Sequence, residues 1–365
     1  MEPPPGGQDS APFRTRLAGG AGRHLPPTHL STSELMSSTR HRTRIDLERL
    51  TGIRERRISV GDEDSYSLAT AAAFDCLDKA QRAGGSSVDV VISCSITKFH
   101  GGLTQWLEPT MSRAVATAIG GAPDAQTFDL SNACAGMLTG VTVANNWIRQ
   151  GLAERVLVVS GEYISQLGQN AARHIRNIVS KELASLTLGD AGGGTPSRTR
   201  QRGIGGGIEL AGFTTVADYS RLCLGYPKGD EPGARMFTDA RGGIHRAAMA
   251  NTPLLLHEVL DAVGISMHDI DHVITHQTSA RAIRKGDGQG VRVLRGRARA
   301  RCCDHRRPLR QHRVHDAHRC PRRGTRGGAH PGRGDHRAHR AGLRAGDRCP
   351  ARDVGRGTGG SLWAR

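Results

Sequence analysis

The sequence predicts an α/β fold of two similar halves, each with a mixed sheet layered between helices. Three observations carry this. Apolar runs of strand length alternate with amphipathic or small-residue helices along most of the chain. The runs are apolar throughout rather than alternating, the pattern of strands covered on both faces. And two of them, one in each half, run straight into a helix with a reactive side chain at the junction: Cys134 in the first, His276 in the second. A length of 365 residues is enough for one large or two fused α/β domains.

Residues 1–21 are rich in Pro, Gly and Arg without an apolar period, so no structure is expected there. Residues 22–192 form the first half. Ser65 to Arg82 reads as a helix with a stripe at Leu68, Ala72, Leu77 and Ala80, and Val88 to Cys94 as a buried strand. Pro109 to Ile119 is a second helix, stopped by Gly120 and Gly121. The strand from Thr127 leads to Cys134, followed by a small-residue helix to about Gln150; Arg155 to Ser160 is another buried strand. Residues 193–205 read as irregular. The second half, 206–285, holds a strand-like run from Gly206 to Thr215 and a helix from Gly243 to Val263. A short strand, His272 to His276, follows, and a helix opens at Gln277 to Arg281. Residues 286–365 are an Arg-rich tail without apolar patterning.

The formal charge of +17 invites a nucleic-acid reading, but its location opposes it. Residues 286–365 hold 21 Arg, 6 Asp and neither Lys nor Glu, a net of +15, which leaves about +2 for the preceding 285 residues. A domain built for phosphate contact mixes Lys with Arg and carries a recognisable motif. Neither is present. A tail metal site from Cys302, Cys303 and His305 lacks zinc-ligand spacing. Cys76, Cys94, Cys134 and Cys223 are scattered without paired spacing, which favours a reduced, cytoplasmic setting. No signal peptide or apolar run of about 18 residues is visible, so no membrane association is expected.

Cys134 is the feature with chemistry in it. Backbone N–H groups at a helix start favour a thiolate, lowering a free pKa of about 8.5 by one to several units. Ala133, Ala135 and Gly136 are small enough to admit a substrate carbonyl. Taken alone, a structural thiol is the plain alternative; His276 downstream changes that balance.

Several segments together carry a resemblance. They are Gly22-Arg-His-Leu-Pro26, Thr51-Gly-Ile-Arg-Glu-Arg-Arg57, Asn132-Ala-Cys134-Ala-Gly136, Leu188-Gly-Asp190-Ala-Gly and Thr275-His276-Gln-Thr-Ser279. In this order the chain resembles the β-ketoacyl-[acyl-carrier-protein] synthase III family, from about residue 22 to 285. The resemblance implies a thiolase-like αβαβα fold and an acyltransferase. Its cysteine, matched by Cys134, accepts an acyl group from acyl-CoA or acyl carrier protein. Its histidine, matched by His276, acts with an asparagine to promote decarboxylation of a malonyl-thioester, whose carbanion attacks the acyl-cysteine. Arg49 and Arg57 are the candidate contacts to coenzyme A, in a basic cluster with Arg54 and Arg56 that otherwise reads as a solvated patch. The resemblance further implies a homodimer, acyl carrier protein and coenzyme A thioesters as partners, no permanent cofactor, no metal, and starter units for fatty acid or polyketide synthesis. Asp190 reads as a turn-fixing residue.

Two departures stand out. The asparagine should follow His276 by about thirty residues in a Gly-Asn-Thr setting, yet residues 286–365 contain no Asn. The aromatic residue that precedes Thr-Gly-Ile is also missing; Asp46 and Arg49 lie in that area. A shifted reading frame accounts for the first. Read one base later, the codons behind Cys302 to Cys320 are compatible with a segment containing Gly-Asn-Thr, and those behind Asp347 to Ala364 with a Gly-rich turn and strand. Gly193 to Gly203 is compatible with an apolar strand in the same frame. A shift near Lys285 and a compensated one across 193–205 are therefore expected. The chain as written should lack its last strands, leave a sheet edge exposed, and fail in condensation while still loading Cys134.

Overall fold

The computed structural model describes residues 15–284, apart from 18–19, 42, 82–86, 200–206, 228–233 and 240–242. The tail expected over 286–365 lies outside the described residues.

The first half is built on β1 (Thr15–Leu17), β2 (Gly22–His24), β5 (Val90–Ser93), β6 (Gln126–Asp129), β7 (Arg155–Glu162) and β8 (Ala191–Thr199). They form one six-stranded sheet in the order β1-β8-β7-β5-β6, with β2 also on β8. β5 runs parallel to β6 and β7, while β8 is antiparallel to β7. A small sheet joins β3 (His29–Ser31) to β4 (Glu55–Arg57). Around them lie α1 (Thr32–Ser37), α2 (Leu47–Thr51), α3 (Ser65–Gln81), α4 (Met111–Ala118), α5 (Gly136–Arg149) and α6 (Ser165–His174).

The continuous apolar runs have a simple cause. Side chains of a strand alternate between faces, so a strand sandwiched by helices needs apolar residues at every position. Val91, Leu157 and Val159 pack with Ala69 and Ala73 of α3 and with Met111 and Val115 of α4. Val90, Ile92, Val156 and Val158 point the other way, onto Ala144 and Ile148 of α5. Each such buried side chain contributes about 1.5–3 kcal/mol. A third cluster joins α1, α2 and α6 through Leu35, Leu47, Ala171 and Ile175.

β8 corrects the sequence reading. Ala-Gly-Gly-Gly-Thr-Pro was expected to be irregular from residue 193, yet 191–199 pairs with β7 along its whole length. The reason is the closeness of α3. A Cβ at Gly192 would run into the Leu68 carbonyl oxygen, and one at Gly161 into that of Ser65. Only glycine fits at those two positions under that helix. Pro196 is accommodated because β2 covers residues 192–194 and β1 covers 197–199. It falls in the gap between those two partners, so on that side no ladder needs its missing N–H.

Two further expectations change. Thr15–Leu17, placed in an unstructured segment, forms an edge strand on β8, with Thr15 fully buried. The run from Gly206 to Thr215 is not a strand; its described part makes one isolated bridge, Thr15 to Ile208.

After residue 206 the described elements are β9 (Cys223–Pro227), antiparallel to β10 (Ala234–Thr238), and α7 (Gly243–Val263). α7 coincides with the expected helix. The expected strand from His272 to His276 is reduced to a bridge residue at Val273. A strand persists only where a neighbour satisfies its backbone, and among the described residues none lines up along it. Ile274 is accordingly 70% exposed.

Candidate active site

β6 ends at Asp129, and a short 3-10 turn, Ala133–Ala135, carries Cys134 into α5. Ala133 has a φ of 42°, in the left-handed region that a residue with a Cβ avoids. Such strain persists only where surroundings fix it. Here they do: the Asn132 amide donates to Thr139 Oγ1 at 2.8 Å, and Thr139 Oγ1 donates to the Ala135 carbonyl at 3.0 Å. A Cβ at Gly136 would lie 2.9 Å from the Cys94 carbonyl oxygen, so α5 begins directly on the end of β5. Asp129 braces the other side. It accepts from the Met111 and Ser112 N–H groups at the start of α4 and pairs with Lys98 at 2.9 Å. Burial opposes its charge, but the Ser112 and Lys98 contacts outweigh burial and hold its carboxyl below the usual range.

The thiol does not behave as the sequence leads one to expect. Cys134 as a residue is exposed, yet enough protein surrounds its sulfur for burial to push its pKa up. Its own backbone N–H opposes this, and the Glu162 carboxylate adds to it. That backbone contact lowers less than burial and the Glu162 charge raise, so the Cys134 pKa lies above its ordinary value. Glu162 closes β7, and nothing in the sequence pattern singles it out beyond being an acid at the end of a buried strand.

His276 lies past the Val273 bridge, exposed, with its carbonyl accepting from Thr278 N–H at 3.2 Å. Among the described residues no hydrogen bond joins its imidazole to Cys134. The second half does reach the sulfur from another point: the charge of Cys134, after burial, raises the pKa of Cys223 at the start of β9.

Of the two arginines chosen from sequence, the structure separates one from the other. Arg57 donates to the Pro26 and Pro27 carbonyls at 3.0 and 3.3 Å, within the β4 region. Arg49, on α2, lines a cavity of about 760 Å³ with Asp46, Glu48, Gly52, Arg54, Arg281 and Arg284. Asp46 caps α2 by accepting from the Arg49 N–H at 2.9 Å, and Gly52, at a φ of 79°, ends it in the left-handed conformation. A Cβ on Gly52 would sit 2.9 Å from that of Ala280, so the helical turn after His276 packs on this cap. That contact adds Arg281 and Arg284 to the cavity, a partnership no local motif discloses. Asp190 fixes its turn as expected, accepting from Ile164, Ser165 and Ser59 N–H groups and the Ser165 hydroxyl, each at 2.7 Å. Among the described residues no cluster of His, Cys, Asp and Glu could hold a metal ion, and no helix is long and apolar enough to cross a membrane.

Comparison with known proteins places this geometry. Residues 128–198, from the Cys134 strand through β8, match the family model for 3-oxoacyl-[acyl-carrier-protein (ACP)] synthase III. The β-ketoacyl-[acyl-carrier-protein] synthase III of Rubrobacter xylanophilus is 30% identical over 259 residues, covering 70% of this chain and 71% of the relative. Among solved structures, 3-oxoacyl-(acyl carrier protein) synthase III from Pseudomonas aeruginosa superposes with a TM-score of 0.60 at 22% identity, over 76% of this chain and 79% of that one. The priming β-ketosynthase of the R1128 polyketide pathway gives 0.59 at 23% identity, over 78% and 81%. Xanthomonas campestris OleA, with its histidine replaced by alanine, gives 0.62 at 20% identity, over 77% and 83%. These structures share the fold, which is thiolase-like. The extent and identity of the sequence match, together with a cysteine at the strand-to-helix junction, establish that the chain belongs to the β-ketoacyl-[acyl-carrier-protein] synthase III family of acyltransferases.

Proposed function

We propose that the chain accepts an acyl group on Cys134 from a coenzyme A or acyl-carrier-protein thioester and passes it to a malonyl-thioester. The sulfur attacks the thioester carbonyl, the donor's C–S bond breaks, and the proton of Cys134 leaves with the released thiol. Decarboxylation of the malonyl group then yields an enolate whose oxygen the His276 imidazole stabilises by hydrogen bonding. The enolate carbon attacks the acyl carbonyl, and the Cys134 C–S bond breaks to free the 3-oxoacyl product. The observation that carries this reading is the strained turn at Ala133, which fixes Cys134 at the mouth of α5.

Spacing supports it. OleA forms altered at one glutamate, one cysteine and one histidine have been solved, the cysteine variant with lauric acid and lauroyl-CoA. In that protein the glutamate precedes the cysteine by 26 residues, and the histidine follows it by 142. Glu108, Cys134 and His276 keep both intervals. The arginine-lined cavity suits the phosphates of coenzyme A or a carrier-protein arm, with Arg49 as the first contact. A homodimer and a role in priming fatty acid or polyketide chains belong to the same reading.

We propose also that residues 286–365, and the stretch around 193–205, are read in a shifted frame. The tail then lacks the condensation asparagine, and the chain as written loads its acyl group without condensing it. Mass spectrometry of the intact protein after incubation with short and long acyl-CoA tests the first step. One acyl adduct, mapped to Cys134 and absent from Cys134→Ser, is expected; an unmodified, folded protein would overturn the proposal.

A further inference from the structure

Glu162 joins the end of β7 to the turn that follows β5, the strand beside the one that leads to the nucleophile. Its Oε1 accepts from the Ile96 N–H at 2.6 Å and the Ser160 hydroxyl at 3.2 Å. Its Oε2 accepts from the Thr97 N–H at 3.1 Å and the Thr97 hydroxyl at 2.9 Å. A backbone N–H on each oxygen favours the ionised carboxylate, but burial outweighs these contacts and raises its pKa above its ordinary value. The contacts spread outward from there. Thr97 Oγ1 also accepts from Tyr163 N–H and the Ser65 hydroxyl, both at 3.0 Å, and Ser95 Oγ accepts from Gly161 N–H at 2.9 Å. The turn held in this way leaves β5 at Cys94, whose carbonyl is the surface on which Gly136, two residues after Cys134, rests.

We propose that Glu162 is a positioning residue for the nucleophile: it clamps the β5 turn beneath the Cys134 junction and, once ionised, acts electrostatically on the sulfur. Two consequences follow. A thiolate formed against that charge is intrinsically more nucleophilic, while a smaller fraction of the sulfur is ionised. The protonated fraction is protected, since thiols oxidise far less readily than thiolates. The electrostatics agree with the geometry, since burial and then Glu162 raise Cys134. Cys94 is pushed up to about 12 by burial, with Asp129 and Glu162 adding to it. The other charged groups on this side are Asp129 and its partner Lys98; Cys223 feels Cys134 from β9.

The inference rests on Cys134 as nucleophile, but its test does not need an acyl donor. The rate of iodoacetamide alkylation at Cys134, mapped by peptide mass spectrometry, is measured against pH in the parent chain, Glu162→Gln and Glu162→Asp. Thermal melts are recorded alongside. In Glu162→Gln the midpoint should fall by at least about half a pH unit, because the charge is gone. Glu162→Asp keeps the charge but shortens the reach, so its midpoint should stay while acyl loading from acyl-CoA slows about tenfold. A Glu162→Gln profile that superposes on the parent's, with an unchanged melt, overturns the proposal. Should that variant not fold, Glu162→Asp decides: a loading rate equal to the parent's overturns it. Failure of the parent to form an acyl adduct sinks the proposed function instead and leaves the alkylation profiles readable.

Discussion

The two halves of this chain use similar apolar side chains to opposite effect. In the first, β5 is buried at all four positions, and α3 buries eight residues against the sheet. In the second, every residue of β9 is exposed, and of the 21 residues of α7 only Gly243 and Leu260 are buried. Leu254 of α7 is 62% exposed, whereas Leu157 of β7 is fully buried. The residue types are alike. What differs is the number of layers: a six-stranded sheet has helices on both faces, whereas a two-stranded one cannot bury either face well. Apolar content alone does not make a core.

Restoring the reading frame would break the comparison most thoroughly. On the proposed frame, a chain recoded at 193–205 and from residue 285 onward should condense, and the chain as written should not. Its urea m-value should rise as more surface becomes buried in the fold. Condensation by the chain as written, at the rate of the corrected one, would remove the case for a shifted frame. Truncating leucines sharpens the contrast on a smaller scale. Leu157→Ala should cost about 2–5 kcal/mol in urea unfolding, as core deletions do, and Leu254→Ala within about 0.5 kcal/mol, as for an open surface. Equal losses would mean that α7 is covered in solution.

The subtlest effect lies where the halves meet. Among the described residues, burial raises the pKa of both exposed cysteines, with Glu162 adding to it at Cys134 and the Cys134 charge at Cys223. Thiolate forms as pH rises, so each should alkylate with a midpoint above the roughly 8.5 of a free cysteine. Cys134→Ser removes the charge that holds Cys223 up and should lower its midpoint by a few tenths of a pH unit. No movement at all would place β9 away from the nucleophile.

Much of the first half was legible because the signals there are local. The apolar runs at Val88 to Cys94 and Arg155 to Ser160 became β5 and β7, and the stripe at Leu68 and Ala72 became the buried face of α3. β8 was not legible, since its glycines spell a turn until α3 lies close enough to exclude a side chain at Gly192. Nor was Glu162, whose meaning depends on the turn at Ile96 and Thr97 being brought to it from another strand.

The amino-acid order by itself determined the family, the strand-to-helix junction and the identity of Cys134 and His276 as its candidate reactive groups. These depend on residue type and short-range spacing, which a chain carries with it unfolded. The tertiary structure decided the rest: a thiol whose burial opposes ionisation, an arginine cavity drawn from α2 and the turn after His276, and a glycine strand beneath α3. Burial, electrostatic proximity and backbone approach are properties of pairs distant in sequence, and they come into being only when the layers close.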